Sequence, residues 1–335
     1  MDTFPVIEIH GTHHQIGLRH GQLLKDRIRK VITFYHTIFG RSEEKIFSRA
    51  MTFENKIANL NPGYIEEMKG IAEGAEVDYR QILALNARSE ILTLFVSECT
   101  AISSPATGLL GQNWDWAEEL EQLTVVMKIS YPNGHQILMI TEPGIIGKIG
   151  FNSAGLGVTL NFLHAPGQLQ GVPIHIMLRA LLDSTDQTVG LQLVKKYYSG
   201  KGGNIIYSSA SKSYNFEFAN EEIFITEVTD HFVHTNHYLI DEELNTKPEK
   251  LASSLSRIAI TQQNLTDSTT IDLERFKQLL ADQTNTELPV CRPYVIDDEI
   301  GNVGTVCSII MDLNQLILYY TPGNPFDHSY ISIKL

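Results

Sequence analysis

The chain has 335 residues, 43% of them hydrophobic and 19% charged, which supplies enough apolar material for a substantial core and argues against intrinsic disorder. Its formal net charge of -13 comes from acidic residues spread along the sequence, which argues against a nucleic-acid partner. Three cysteines without a CxxC spacing favour neither a disulfide framework nor a zinc site.

The first hundred residues are predicted to be mostly helical. From Gln15 to Gly40, apolar residues recur at helical spacing, and basic residues lie largely on the opposite face. A second helical block is predicted from Asn61 to Leu94, where Pro62 suits the first turn of a helix.

After Cys99 the pattern changes to short β-type runs separated by turns. The first predicted strands are Gly108–Trp114, Leu123–Tyr131, Gln136–Thr141, Ile149–Asn152 and Gly157–Phe162. Helices are predicted at Pro173–Leu182 and Thr188–Tyr198. The later predicted strands are Asn204–Ser209, Tyr214–Ala219, Glu222–Val228, Phe232–Thr235, Cys307–Leu313, Leu316–Tyr320 and Tyr330–Leu335. This order predicts an α+β fold with two antiparallel sheets between outer helices.

Cys99 lies at the sharpest boundary in the sequence, where the helical part ends and the strands begin. A strand that begins with a cysteine places a thiol at the end of a sheet. Free cysteines are also common as small buried apolar residues, so these residues alone leave both interpretations open.

Many short motifs occur in the order typical of one family. They are Gly11-Thr12, Gly17, His20-Gly21, Glu66–Ala72, Leu85–Arg88, Cys99-Thr100, Gly111–Asp115, Gly144–Lys148, Gly150–Gly155, His234–His237 and Cys291-Arg292. In these motifs the chain resembles the acyl-coenzyme A:6-aminopenicillanic acid acyltransferases and their bacterial relatives. The resemblance implies a four-layer αββα sandwich of the N-terminal nucleophile hydrolase type. Residues 1–98 would form a mostly helical α-chain or propeptide region, and residues 99–335 the catalytic β-chain region of the same domain.

The resemblance implies a precursor that cuts itself between Glu98 and Cys99. In this family the thiol attacks the carbonyl before it, and the released α-amino group then acts as the base. A free α-amino group has a reference pKa of roughly 7.7 to 8.0, so it can take a thiol proton near neutral pH. The family pattern has glycine where this chain has Glu98, and glycine adopts strained geometry at less cost. We therefore expect slow self-cleavage.

The resemblance also assigns roles around the nucleophile. Asn236 matches the amide that stabilises the oxyanion of the tetrahedral intermediate, and Asp115 matches the aspartate that orients the new amine. Arg292 matches an arginine that holds a substrate carboxylate or pairs with Asp115. Three further residues are expected to shape the pocket: Thr100, Asn113 and Trp114.

The leading interpretation is an amidohydrolase or acyltransferase that acts on a small linear amide or an acyl-coenzyme A through a thioester on Cys99. No metal or cofactor is expected. After self-cleavage the protein would be an α/β heterodimer that could assemble further. With no apparent secretion signal and no run of roughly eighteen apolar residues, a soluble cytoplasmic protein is expected.

Two other interpretations remain open. A small-peptide or amino-acid amidase would use the same nucleophile with a different pocket. Because of Glu98, an uncleaved and catalytically inert binding or structural protein is the alternative of another class.

Overall fold

The structure, a computed structural model, describes residues 3–92, 99–164, 171–198, 201–219, 222–247, 251–266 and 271–335. The helices in these ranges are α1 (His13–Ile38), α2 (Glu43–Met51), α3 (Glu54–Leu60), α4 (Pro62–Ala75), α5 (Tyr79–Asn86), α6 (Arg88–Ile91), α7 (Ile174–Leu182), α8 (Gln187–Tyr197), α9 (Ala252–Thr266) and α10 (Leu273–Leu280). Glu98, on one side of the expected cleavage site, lies outside the described residues.

The described strands form two sheets. The strands are β1 (Val6–His10), β2 (Thr100–Ser104), β3 (Leu109–Ala117), β4 (Val125–Ser130), β5 (Gln136–Thr141), β6 (Ile149–Asn152), β7 (Gly157–Val158), β8 (Asn161–Phe162), β9 (Gly203–Ser208), β10 (Ser213–Ala219), β11 (Glu222–Val228), β12 (Phe232–His234), β13 (Val295–Asp297), β14 (Gly301–Asp312), β15 (Ile317–Tyr320) and β16 (Ile331–Lys334). The first sheet has the order β1-β4-β5-β6-β7-β9-β10-β11, with β8 paired to β9. The second has the order β12-β2-β3-β14-β15-β16, with β13 paired to β14.

The two sheets face each other across the core. Gln112 lies on β3 of the second sheet, and Leu160 lies between β7 and β8 of the first sheet. Gln112 Nε2 donates to the Leu160 carbonyl oxygen at 2.5 Å, and Gln112 Oε1 accepts from the Leu160 N–H at 2.8 Å. On the outer side of the first sheet, α7 packs against β6 and β7. On the outer side of the second sheet, α9 packs against β12, and α10 packs against β3 and β14. The predicted α+β fold, a four-layer αββα sandwich, is confirmed.

Strand β1 differs from the sequence-based prediction, which placed no strand before Cys99 and expected antiparallel sheets. It pairs in parallel with β4, so that Val6 lies opposite Val126 and His10 opposite Ser130. The strand occupies the edge of its sheet, and only Ile9 among its residues is buried. Such an edge strand carries little apolar alternation, and its partner lies far along the chain, so local pattern does not reveal it.

The helical block predicted from Asn61 to Leu94 is divided into α4, α5 and α6, and its last two residues lie outside the described ranges. After α4, Glu76 adopts a left-handed conformation with φ of 53° and ends the helix. Asp78 then caps α5, where its side chain accepts from the Arg80 N–H at 2.8 Å. Apolar periodicity alone predicts one continuous helical block, but these capping residues end one helix and begin the next.

Helices α1 and α4 cross at close range. A Cβ atom placed on Gly17 would lie 1.9 Å from the Glu67 carbonyl oxygen, so only glycine fits this contact. Beside it, Arg179 of α7 is buried and donates to both carboxylate oxygens of Glu67, at 2.9 and 2.8 Å. His13 Nδ1 lies 2.9 Å from the same carboxylate. The Glu67 carboxylate thus connects α1, α4 and α7.

Candidate active site

Cys99 immediately precedes β2 and is buried, with 5% of its surface exposed. Thr100 pairs with Asn113 of β3, so continuing the register by one residue places Cys99 beside Trp114. On the other side of Trp114, the paired residue of β14 is Cys307. The structure therefore places the predicted nucleophile directly before β2, an interior strand of the second sheet.

The Cys99 side chain belongs to the main hydrophobic core cluster, and polar groups of Asp115 and Gln112 also reach its sulfur. Burial and, next, the Asp115 carboxylate raise the pKa of the Cys99 thiol to about 11. Hydrogen bonds from the Asp115 backbone N–H and the Gln112 side chain, together with the charge of Arg257, act in the opposite direction. In the uncut chain the thiol is therefore protonated at neutral pH, and its activation needs a proton acceptor.

Arg257 of α9 joins several parts of the site, and sequence reasoning did not identify it. It is buried, and its Nη1 donates to the Cys99 carbonyl oxygen at 2.6 Å and to Thr100 Oγ1 at 2.9 Å. Its Nη2 donates to Asn236 Oδ1 at 2.9 Å. Asn161 Nδ2 also donates to the Cys99 carbonyl oxygen, at 3.0 Å. The backbone of the cysteine is thus fixed from two sides.

Asn236 lies in the segment that follows β12 and is held at both its backbone and its side chain. Its N–H donates to Ser254 Oγ at 2.8 Å, and its Nδ2 donates to the Phe162 carbonyl oxygen at 3.0 Å. Two residues before it, His234 Nε2 lies 2.9 Å from Glu217 Oε1, and both side chains are buried. The amide predicted to stabilise the oxyanion therefore has a defined orientation next to the nucleophile's strand.

Asp115 and Arg292 approach each other through their backbones. Asp115 pairs with Thr305 of β14. Thr305 in turn forms two hydrogen bonds with Arg292. The Thr305 N–H donates to the Arg292 carbonyl oxygen at 3.0 Å, and the Thr305 Oγ1 accepts from the Arg292 N–H at 2.9 Å. Arg292 is partly exposed, whereas Asp115 is buried. Burial and then the Asp115 charge raise the pKa of Cys291 to about 12, so Asp115 acts electrostatically on both Cys99 and Cys291.

Two of the three predicted pocket residues are engaged in hydrogen bonds within the protein. Thr100 Oγ1 accepts from Arg257, as described above. Asn113 Nδ2 donates to the carbonyl oxygens of Leu280 at 2.7 Å and Val290 at 3.2 Å, on the side of β3 that faces α10. Asn113 therefore fixes the end of α10, on the face of β3 opposite to that of Trp114.

The third predicted pocket residue, Trp114, forms a cation–π contact with a buried lysine. Lys148 Nζ lies 3.5 Å from the ring centroid and also donates to Glu142. Glu142 accepts in addition from Arg88 Nη2 at 2.9 Å and from the Tyr35 hydroxyl at 2.5 Å. Burial lowers the pKa of Lys148 to about 8, although the Glu142 charge acts against this shift. A buried charged network thus lies against the nucleophile's neighbours.

The described residues contain no group of three or more histidine, cysteine, aspartate or glutamate side chains arranged to hold a metal ion. No helix in the same part of the chain combines the length and the apolar character needed to span a membrane. The three cysteines are all described, and each is buried and without a disulfide.

Sequence comparison finds clear relatives. The family described as acyl-coenzyme A:6-aminopenicillanic acid acyl-transferase matches residues 103–327. The chain is 32% identical to the 40 kDa form of acyl-coenzyme A:6-aminopenicillanic-acid-acyltransferase from Emericella nidulans, an alignment that covers 96% of this chain and 94% of that protein. It is 22% identical to protein dcd1A of Dictyostelium discoideum, over 64% of this chain and 59% of that protein.

Solved structures with a similar arrangement share little sequence. A mutant conjugated bile acid hydrolase from Clostridium perfringens aligns with a TM-score of 0.49 and 15% identity, over 71% of this chain and 97% of that one. Penicillin V acylase from Agrobacterium tumefaciens aligns with a TM-score of 0.46 and 12% identity, over 71% of this chain and 86% of that one.

Proposed function

Because the chain belongs to the acyl-coenzyme A:6-aminopenicillanic acid acyltransferase family, we propose that it is a self-activating cysteine amidohydrolase or acyltransferase. Its substrate is a small linear amide or an acyl-coenzyme A, and the acyl group passes through a thioester on Cys99. The observation that carries the proposal is the pair of contacts from Arg257 to the Cys99 carbonyl and to the Asn236 amide. These contacts hold the candidate nucleophile and the candidate oxyanion donor on one guanidinium group.

Activation begins with an attack of the Cys99 sulfur on the carbonyl carbon before it. A carbon–sulfur bond forms, the peptide bond to the Cys99 nitrogen breaks, and that nitrogen takes up the proton that the thiol loses. Water then hydrolyses the thioester and releases two chains. Since the thiol pKa is raised to about 11 in the uncut chain, the free α-amine produced by cleavage supplies the proton acceptor that the buried sulfur needs.

Turnover repeats this chemistry on a substrate. The α-amine takes the proton of the Cys99 thiol, and the thiolate attacks the substrate carbonyl, whose oxyanion accepts a hydrogen bond from Asn236. The leaving amine, or the coenzyme A thiolate, then takes the proton from the α-ammonium group. Water or an amine then meets the thioester, which gives hydrolysis or transfer. Asp115 orients the new amine, and Arg292 binds a substrate carboxylate or pairs with Asp115.

The two chains remain associated after the cut. The α-chain, residues 1–98, contributes β1 to the first sheet, where it pairs with β4 of the β-chain, residues 99–335. Both chains contribute to the same hydrophobic core. The α-chain supplies, for example, Ile28 and Met68, and the β-chain supplies Leu138 and Ile146. These contacts support an α/β heterodimer, and its three thiols fit a reducing compartment such as the cytoplasm.

Intact-mass measurement of the purified protein tests self-activation. We expect two chains whose masses sum to that of the full chain plus one water, with Cys99 as the first residue of the second chain. A chain that stays whole, does not react with acyl donors and leaves Cys99 unlabelled by thiol reagents would instead favour an inert homologue. Because Glu98 replaces the family's glycine, we expect cleavage to proceed over a measurable time course after synthesis.

Asn236→Ala is expected to lower kcat by about a hundredfold or more, because one oxyanion donor is lost. The described contacts account for one of the two N–H groups on Asn236 Nδ2, which leaves the second for the oxyanion. Steady-state kinetics of the matured variant measure the effect. Asn152→Ala is the matched control: this buried amide bonds the Leu182 and Ser184 carbonyls, so its loss should reduce stability but leave kcat per folded molecule intact. Equal kcat values for the wild type and Asn236→Ala would remove Asn236 from the site.

A further inference from the structure

Arg257 presents its donors to atoms on three different segments of the chain. Its Nη1 reaches the Cys99 carbonyl oxygen and Thr100 Oγ1, at 2.6 and 2.9 Å, and its Nη2 reaches Asn236 Oδ1 at 2.9 Å. On its own helix, Nε donates to Ser253 Oγ at 3.2 Å. A guanidinium is planar and carries its five N–H groups in a fixed fork, so these contacts fix the relative positions of their acceptors.

The contact with Asn236 determines which way its side-chain amide faces. A guanidinium can only donate hydrogen bonds, so the amide atom that it meets must be the oxygen. The carbonyl of Phe162 can only accept, and it meets Nδ2 on the other side at 3.0 Å. The hydrogen bonds to Arg257 and to Phe162 therefore require the same orientation of the Asn236 amide, with its nitrogen directed away from Arg257. That orientation matters because only the nitrogen can donate to an oxyanion.

The contact with Cys99 acts on the backbone of the nucleophile itself. The Cys99 carbonyl is bonded by Arg257 and by Asn161, which also donates to the His234 carbonyl at 3.2 Å. His234 is the last residue of β12, two residues before Asn236. A second set of hydrogen bonds therefore connects the same two parts of the site, and Arg257 closes this ring of contacts.

We infer that Arg257 is a positioning residue that sets the distance and orientation between the Cys99 nucleophile and the Asn236 oxyanion donor. The inference rests on the proposed function, which gives those two residues their roles. Arg257 acts on the site through its hydrogen bonds to the Cys99 carbonyl, Thr100 and Asn236. It acts by preorganisation, which contributes to catalysis when donors must face a developing charge at a fixed position.

Lysine is the informative replacement. Arg257→Lys keeps the positive charge, but a single ammonium group at the end of a flexible stem cannot hold the carbonyl and the amide oxygen in one plane. We expect the matured variant to lose about ten- to a hundredfold in kcat, part of the effect of removing an oxyanion donor, with KM changed by less than about threefold. Kinetics are normalised to the folded fraction measured by circular dichroism.

A double-mutant cycle separates positioning from a structural role. If Arg257 acts in part through Asn236, the lysine substitution should cost several-fold less kcat in an Asn236→Ala background than in the wild type. Arg179→Lys is the matched control, since Arg179 is equally buried but hydrogen-bonds Glu67 and the Ile146 carbonyl instead of Cys99, Thr100 or Asn236. It should lower stability, leave kcat per folded molecule unchanged, and show no coupling to Asn236.

Several results would overturn the inference. One is an unchanged kcat per folded molecule in Arg257→Lys and in the second variant, Arg257→Gln. Another is an equal loss of kcat with and without Asn236. If neither variant folds, Arg257 is required for the fold and the inference is also wrong. Cys99→Ala, assayed in parallel, keeps the two proposals apart: an inactive Cys99→Ala together with a wild-type kcat in Arg257→Lys refutes the positioning role alone, whereas an active Cys99→Ala refutes both.

Discussion

Cys99→Ala is expected to abolish both chain cleavage and substrate turnover. The same sulfur attacks the peptide carbonyl during activation and the substrate carbonyl during catalysis, so no step of either reaction proceeds without it. Gel electrophoresis and intact mass should show one full-length chain, and an amide assay should show no product above background. Cys99→Ser is expected to retain slow cleavage, because a hydroxyl can attack but is a poorer nucleophile.

Cys291→Ser is the matched control for the loss of a buried thiol. Cys291 Sγ donates to Asn324 Oδ1 at 2.8 Å, and a serine hydroxyl can keep that hydrogen bond. Its cleavage and turnover should therefore stay near those of the wild type. Full amidase activity in Cys99→Ala, or an equal loss in Cys291→Ser, would contradict the assignment of Cys99 as the nucleophile.

Glu142→Gln is expected to lower the free energy of unfolding by about 3–5 kcal/mol at pH 7, because it leaves two buried cations without their carboxylate. Arg88, Lys148 and Glu142 are all almost fully buried, and Glu142 is the shared acceptor of both cations. Denaturant unfolding measures the change. Glu66→Gln is the control: Glu66 pairs with Lys69 at 3.2 Å on the surface, so its loss should cost less than about 1 kcal/mol. A loss below about 1 kcal/mol in Glu142→Gln, no larger than that of the surface control, would contradict the prediction.

The free energies of unfolding of the wild type and of Glu142→Gln should depend differently on pH in acid. Burial alone would raise the pKa of Glu142, but the charges of Arg88 and Lys148 hold it at about 2, below its ordinary value of 4.5. The stability that this carboxylate contributes is therefore present above pH 4.5 and is lost as the pH falls toward 2. We expect the difference between wild type and Glu142→Gln to narrow over this interval. A difference that stays constant down to pH 2 would contradict the assigned pKa.

The sequence predicted the parts of the fold that repeat locally. The helix expected from Gln15 to Gly40 is α1, His13–Ile38, because its apolar residues follow one face of the helix. The strands after Cys99 were found because alternation and turns are short-range patterns. The edge strand β1 and the parallel pairing with β4 were missed because that contact joins residues far apart in sequence.

Arg257 was missed for a similar reason. Its partners lie 158, 157 and 21 positions away, and nothing next to it in the sequence distinguishes it from a surface arginine. One signal was present: on α9 it falls on the buried face together with Ile258, Thr261 and Leu265. A single charged residue on the apolar face of an amphipathic helix is costly to bury unless it has specific partners. Such a position can be recognised from sequence as a candidate for a buried polar contact.

The central claim, an acyl thioester on Cys99, can be tested by trapping the intermediate. The matured protein is mixed with an acyl donor that it turns over, quenched in acid, digested, and analysed by peptide mass spectrometry. We predict that the acyl mass appears on the peptide that begins with Cys99, and that neutral hydroxylamine removes it. Turnover with the acyl group on any other residue, or with Cys99 blocked by alkylation, would contradict the claim.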